Sequence, residues 1–336
     1  MNFENKISVI VCTYNQESTI ARTLDSILSQ RCHLPLEIII GEDCSSDATL
    51  TVCQEYVQQY PDIIRLLANE KNKGLINNYF DCLLAAQGKY LAECAGDDEW
   101  CDPEKLEKEL TILEQHPEVV LVHTDYECRD AESGEHFAPA PLWYNEGLCQ
   151  GEEMLWHIME QSRRPAIHLC TVLWRNEVFR RMYEATPHLL RNSQYLMEDV
   201  PICALASQEG DFYYLPDVTL TYETGKESEG HKEEDSRQFR FIYSLLIILR
   251  DMATHAGIHE DPRMKQIYEN RLWALSMHAF RAYDLKERDE AIETTNALIG
   301  KKGFRLKAFS LVTAHRWSWK SALQLRRLFV SLKKLC

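Results

Sequence analysis

The apolar run Tyr90-Leu91-Ala92 leads into Ala95-Gly96-Asp97-Asp98-Glu99-Trp100. Adjacent carboxylates leaving a buried strand repel each other. The arrangement is costly unless a divalent cation or a sugar hydroxyl lies against them. Working outward, further β-rich runs are Ile7-Ser8-Val9-Ile10-Val11, Leu36-Glu37-Ile38-Ile39-Ile40, Ile63-Ile64-Arg65-Leu66-Leu67 and Val119-Val120-Leu121-Val122. Helical windows fall between them, near 17–30, 47–59, 75–87 and 103–115. Strands without apolar–polar alternation are buried on both faces, so the pattern predicts an α/β fold, a mostly parallel sheet flanked by helices. Ligands of such sheets bind beyond the carboxyl ends of the strands. Thr13-Tyr14-Asn15, Glu42-Asp43 and Asp97-Asp98 all fall there.

The chain has 336 residues, 45% of them apolar, enough for one large domain or two. No run approaches the roughly 18 apolar residues that span a bilayer; the longest, Phe241 to Leu249, is bracketed by Arg240 and Arg250. The start, Asn2-Phe3-Glu4-Asn5-Lys6, passes at once into a strand-like segment, unlike a signal peptide, which predicts residence in the cytosol. Twelve cysteines are scattered without a CxxC pair and read as reduced, mostly buried residues.

Residues 124–150 look irregular, broken by Pro139, Pro141 and Gly147. Glu223 to Asp235 is polar and contains Gly225 and Gly230, which predicts a mobile loop or boundary. From Ser236 onward the pattern is helical. The expected organisation is one domain over 1–225 and a helical region over 226–336. The net charge of −15 conceals an asymmetry: Lys301 to Cys336 holds ten basic residues and no acid, leaving −25 on the first 300 residues. An acidic body argues against a nucleic-acid partner.

The order of these elements resembles the inverting glycosyltransferases of family 2, with their GT-A fold. The resemblance rests on Ser8 to Asn15, Glu37 to Thr49, Asn72-Lys73-Gly74, Gly88-Lys89-Tyr90, Gly96-Asp97-Asp98 and Glu198-Asp199, in order over roughly 5–225. It implies transfer of a sugar from a nucleotide donor, UDP-linked, to a hydroxyl of a glycan or lipid-linked acceptor, with inversion. Thr13, Asn15, Glu42 and Asp43 would hold the nucleotide, a carboxylate accepting the imide N–H of uracil. Lys73 would approach the diphosphate as a point charge. Asp97 and Asp98 correspond to the metal motif, with Mg²⁺ or Mn²⁺ bound and Asp98 also near sugar or ribose. Asp199 corresponds to the general base, taking the proton of the attacking hydroxyl. The chain departs from the motif at its first acid, which is Ala95 here.

Each residue also has a plainer reading. Ser46 and Asp47 suit helix caps, Lys73 a solvated turn, and Asp199 a helix start before Pro201. His168, leading into an expected strand Leu169-Cys170-Thr171-Val172, is read as either a structural residue or a substrate contact. Trp100 and Trp143 are core aromatics or sugar platforms. In the tail, apolar residues from Leu306 to Leu335 recur near helical spacing among Lys, Arg, Trp317 and Trp319. That pattern fits a peripheral membrane contact through 301–336 at the inner face of the cell membrane, or a helix packed on the acidic body. Two rival functions remain: a catalytically silent sugar-nucleotide-binding or assembly protein, suggested by Ala95, and a nucleotidyltransferase. The latter wants a glycine-rich basic loop after the first strand, and Thr13-Tyr14-Asn15-Gln16-Glu17 is not one.

Overall fold

The computed structural model describes residues 3–161, 164–224, 235–300 and 304–333, with backbone alone for 304 and 326–333. They fall into two compact units, divided between Gly225 and Lys226. Most of the expected boundary segment, residues 225–234, lies outside the described residues.

In the first unit the chain runs β1 (Glu4–Thr13), α1 (Ile20–Leu28), β2 (Leu36–Glu42), α2 (Thr49–Gln59), β3 (Ile64–Ala68), α3 (Leu75–Ala85), β4 (Gly88–Glu93), β5 (Glu99–Trp100), α4 (Lys105–Gln115) and β6 (Val119–Asp130). It continues through β7 (His136–Phe137), β8 (Gly147–Cys149), α5 (Gly151–Glu160), a 3₁₀ turn (Leu169–Thr171), β9 (Val172–Arg175), α6 (Asn176–Ala185), α7 (Pro187–Leu190), α8 (Asp199–Ala206) and β10 (Asp211–Thr224). The sheet order is β3-β2-β1-β4-β9-β6-β10-β5, with β7 on β6 and β8 on β10.

The central strands are buried on both faces, Ile7, Val9, Ile10 and Val11 being at most 1% exposed. Helix α1 covers one face through Ile20, Leu24 and Ile27, spaced for a single stripe and all fully buried. Each such side chain contributes about 1.5–3 kcal/mol by burial.

The expected α/β sheet flanked by helices is found, with one refinement of strand direction, and two other expectations need correction. The sheet is mixed: β3, β2, β1 and β4 are parallel, but β9 lies antiparallel between β4 and β6, and β10 pairs parallel with β6. A strand buried on both faces shows the same apolar run whichever way its neighbour points, so direction is not legible in composition. The stretch 124–150 is less irregular than expected, since β6 continues to Asp130 along β10. Leu169–Thr171 is a 3₁₀ turn rather than a strand, because the His168 imidazole accepts from Cys170 N–H and the Thr171 hydroxyl donates to the His168 carbonyl.

The second unit comprises α9 (Asp235–His255), α10 (Pro262–Ala282), α11 (Leu285–Ile299), α12 (Phe304–Thr313) and α13 (Arg316–Lys333). Asp261 caps α10 through Arg263 N–H, and Asp284 caps α11 through Lys286 and Glu287 N–H. The tail's apolar residues divide. Leu306, Phe309 and Trp319 are buried, and the Trp319 indole donates to the Phe280 carbonyl at 3.0 Å. Leu311, Trp317 and Leu325 are exposed. Among the described residues no helix is long and apolar enough to cross a membrane, and the cysteines are unpaired.

Candidate functional site

The parallel register places Thr13 beside Glu42, so the loops after β1 and β2 leave the sheet side by side. Both turn through a left-handed residue, Asn15 (φ 53°) and Cys44 (φ 63°), the former a residue type that tolerates it. Asn15 N–H donates to Ser45 Oγ at 2.9 Å, and Asn15 Oδ1 accepts from Ser46 N–H at 2.8 Å. Asp47 accepts from Glu17 N–H and from Thr49 N–H. Asn15 and Asp47 thus stitch the two loops together. Ser46 and Asp47 do not occupy the cap position of α2, which is Ala48.

Asp43 is almost wholly buried. Its Oδ1 accepts from the Asn69 amide (2.9 Å) and Lys73 N–H (2.8 Å), and its Oδ2 from Gly74 N–H (2.9 Å). Gly74 starts α3 with a positive φ of 78°, a conformation glycine adopts without steric cost. Buried Glu42 accepts from Ser45 N–H through Oε1, while its Oε2 has no partner. Lys73 points its ammonium at Asp81, 2.8 Å away, and Asp81 also pairs with Arg191.

The acid turn Gly96-Asp97-Asp98 is held from two sides. Gly96 N–H donates to the Cys12 carbonyl at 3.1 Å, fixing the turn against the end of β1. A Cβ on Gly96 would collide with Gln16 Oε1 and Thr13 Oγ1, so only glycine permits this approach. Along α1 and its cap, Thr19, Arg22 and Thr23 donate to the carbonyls of Gly96 (2.8 Å), Asp97 (2.7 Å) and Asp98 (2.6 Å) in turn. Spacing of three and four residues puts these donors on one helix face.

Asp98 is 1% exposed; its Oδ1 accepts from Glu223 N–H at 3.1 Å and its Oδ2 is buried without a partner of hydrogen-bond geometry. Burial pushes its carboxyl well up, and the neighbouring Asp97 charge adds to this. Asp97 is also raised, by burial first and by Glu223, against the opposing pull of Arg22. Two adjacent carboxyls short of positive charge, one with an orphan oxygen, fit a divalent cation. Around them Glu223 joins Arg22 (2.8 Å) and Arg129 (2.7 Å), and Glu99 joins the same two guanidinium groups.

Asp199 opens α8, its Oδ1 accepting from Val200 N–H at 2.8 Å. It keeps some solvent contact in a dense recess, and burial pushes its carboxyl up to about 6. Glu198 is pushed further, to about 8, by burial and by the Asp199 charge. Glu93, at the end of β4, is raised well above the usual carboxylate range by burial, and the Glu198 charge adds to it. His168 packs between the rings of Tyr126 (5.2 Å) and Tyr222 (4.7 Å), and burial lowers it to about 4, so it is neutral. Trp100 is a core residue whose indole donates to the Cys170 carbonyl at 2.9 Å. Trp143 donates to His157 Nδ1.

Thr13, Asn15, Glu42, Asp43 and Lys73 therefore gather at the ends of β1 and β2, Asp97 and Asp98 at the turn after β4, and Asp199 with Glu198 at the start of α8. Sequence reasoning missed Arg22, Arg129, Glu223 and Glu93. For Arg22 a signal existed, the polar i, i+3, i+4 set Thr19, Arg22 and Thr23 running beside the apolar stripe of α1. Arg129 and Glu223 meet only through strand pairing.

Comparison with known proteins fits this geometry. An uncharacterised protein of Mycobacterium tuberculosis is 43% identical over 115 residues, 34% of this chain and 33% of that protein. The putative glycosyltransferase EpsE of Bacillus subtilis is 40% identical over 124 residues, 37% of this chain and 44% of EpsE. The putative teichuronic acid biosynthesis glycosyltransferase TuaG of Bacillus subtilis is 32% identical over 151 residues, 44% of this chain and 58% of TuaG. The matches thus span between a third and under two thirds of these relatives' lengths. Among solved structures, S. aureus TarS superposes with a TM-score of 0.58 at 18% identity, covering 90% of this chain and 50% of that one. S. aureus TarS 1–349 in complex with UDP-GlcNAc gives 0.53 at 16% identity, covering 87% and 92%. The mannosyltransferase PcManGT from Pyrobaculum calidifontis, in complex with GDP-Man and Mn²⁺, gives 0.51 at 16% identity, covering 96% and 88%. At these identities the likeness is one of fold. Residues 8–169, which carry the strand-end acids Glu42-Asp43 and Asp97-Asp98, match the family described as Glycosyl transferase family 2.

Proposed function

We propose that the chain transfers a sugar from a UDP-linked donor to a hydroxyl of a growing glycan or lipid-linked acceptor, with inversion at the anomeric carbon. The observation that carries this reading is the Asp199 carboxyl, placed at the start of α8 and poised near 6, where it is ionised at neutral pH yet basic enough to take a proton. The acceptor hydroxyl attacks the anomeric carbon, its proton passes to Asp199, and the bond from that carbon to the diphosphate oxygen breaks. Thr13, Glu42 and Asp43 shape the nucleotide end, with Asn15 holding the loop and Lys73 free to turn from Asp81 towards phosphate. Asp97 and Asp98 would hold Mg²⁺ or Mn²⁺, which neutralises charge on the departing diphosphate. The donors named with TarS and PcManGT, and the teichuronic acid named with TuaG, support a nucleotide sugar and a glycan acceptor.

We infer a cytoplasmic location, with the basic tail 301–336 touching an anionic membrane face; the exposure of Trp317 and Leu311 supports this reading. Flotation with anionic vesicles at low and high salt, full-length against a chain ending at residue 300, tests that contact; full-length protein that never floats removes it. Thermal stabilisation across nucleotide sugars with Mn²⁺ tests the donor. A ligand at 100 times its dissociation constant should add about 2.7 kcal/mol. A flat response to every donor would sink the reading. Ala95 favours a second reading, a sugar-nucleotide-binding protein without turnover; stabilisation by UDP-sugar with no transfer or hydrolysis would select it.

A further inference from the structure

We propose that Asp98, His168 and Cys170 form a mixed oxygen, nitrogen and sulfur site for a thiophilic divalent cation, Zn²⁺ above all, in place of a purely carboxylate site for Mg²⁺. The inference deepens the proposed metal role of the acid turn and rests on that reading. A carboxylate oxygen of Asp98, a ring nitrogen of His168 and Cys170 Sγ all lie within 4.8 Å of one another. Ligand atoms around a tetrahedral Zn²⁺ stand roughly 3.5 Å apart, given bonds of about 2.0–2.3 Å, so small side-chain rotations close the site.

A second observation points into the same place. Asp98 is 1% exposed, its Oδ2 is buried without a donor of hydrogen-bond geometry, and the Cys170 side chain faces its carboxyl. The fold also supplies what surrounds a metal thiolate. Ala95 N–H donates to Cys170 Sγ at 3.2 Å, and the Trp100 indole fixes the Cys170 carbonyl at 2.9 Å. These contacts hold the residue that carries the sulfur in place. The 3₁₀ turn Leu169–Thr171 brings the imidazole and the thiol, two residues apart, to one side of the chain. The strand that lacks an acid at Ala95 thus meets a neighbouring segment that offers two softer donors. Soft thiolate and imidazole ligands select Zn²⁺ over Mg²⁺, which takes oxygen. Binding would displace the Cys170 thiol proton to solvent and leave a sulfur–metal bond in its place, and the single lone pair of the neutral His168 ring would leave Cys170 N–H for the cation.

Cys32, His33 and Glu107 also converge. There Glu107 already accepts from His33 N–H at 3.0 Å and pairs with its ring at 2.9 Å, and the groups are not enclosed, so that cluster serves as the control.

The test titrates the full-length protein with Co²⁺, a visible-absorbing stand-in for Zn²⁺, under a reductant that is not a thiol. The expected result is a near-ultraviolet sulfur-to-cobalt charge-transfer band, saturating near one ion per chain, erased by Zn²⁺ and untouched by excess Mg²⁺. Cys170→Ser should abolish the band and weaken Co²⁺ at least about tenfold; Cys32→Ser should leave it intact. If Cys170→Ser does not fold by circular dichroism, His168→Gln, at a partly exposed position, should shift and weaken the band. Absence of the band, its loss with Cys32→Ser only, or its removal by Mg²⁺ overturns the site. UDP-sugar binding followed separately keeps the two readings apart. A band without donor binding upholds this site and removes the transferase reading, whereas donor binding with Mn²⁺ and no band overturns this site alone.

Discussion

Asp43 and Asp98 are both nearly buried aspartates just past the ends of β2 and β4, the parallel strands on either side of β1, yet their surroundings are opposite. Asp43 has both oxygens occupied by donors, from Asn69, Lys73 and Gly74, so its charge is spent on pinning the 69–74 loop to β2. Asp98 has one protein donor to a carboxylate oxygen and one orphan oxygen, with Asp97 adjacent. The difference teaches that the end of β2 is finished by the protein itself, while the acid turn is left short of positive charge. Arg22 gives the turn one hydrogen bond, at the Asp97 carbonyl, but its ion pairs, like those of Arg129, go to Glu223 and Glu99. Such a deficit suits a group that arrives with the substrate.

The largest expected effect is at Asp199. Asp199→Asn should cut transfer by about 10²–10⁴-fold with the dissociation constant for UDP little changed. Initial rates with calorimetry check this, and turnover at the wild-type rate would reassign the base. Next comes the acid turn, where Asp97→Asn should weaken Mn²⁺-assisted UDP binding by about ten- to a hundredfold while leaving the fold intact. Equal affinity by calorimetry, with and without the mutation, would show the turn to be no cation site.

The finished end should behave as scaffold. Asp43→Asn places an amide nitrogen against backbone donors and should cost about 1–2 kcal/mol of stability, read by urea unfolding. A variant as stable as the wild type would erase the contrast between the two aspartates. The smallest effect is pH dependence. Asp199, held near 6, and Glu198, held near 8, keep protons in the folded state that the unfolded chain releases near 4. Their contribution to stability is therefore fully present below about pH 4 and is lost as pH rises through 6 and then 8. Transfer should move the other way, rising as Asp199 ionises through about pH 6. A pH–rate profile and melting curves across pH 5–9 read the two trends; stability rising steadily over that window would contradict the buried acid pair.

The sequence by itself determined the alternation of strands and helices up to β6. Runs such as Ile7 to Val11 and the α1 stripe carry their own period, and the helices found at 49–59 and 105–115 lie where those periods place them. It also placed the acids at strand ends, because Thr13, Glu42-Asp43 and Asp97-Asp98 each directly follow an apolar run. Tertiary structure alone decided the antiparallel insertion of β9, since pairing direction leaves no mark on a strand buried on both faces. It alone brought Glu223 to Asp98, residues far apart in the chain, through the pairing of β10 with β6 and β5. And it alone divided the acids into satisfied and unsatisfied ones, because a carboxylate's energy depends on which donors reach it, and those donors come from other elements of the fold.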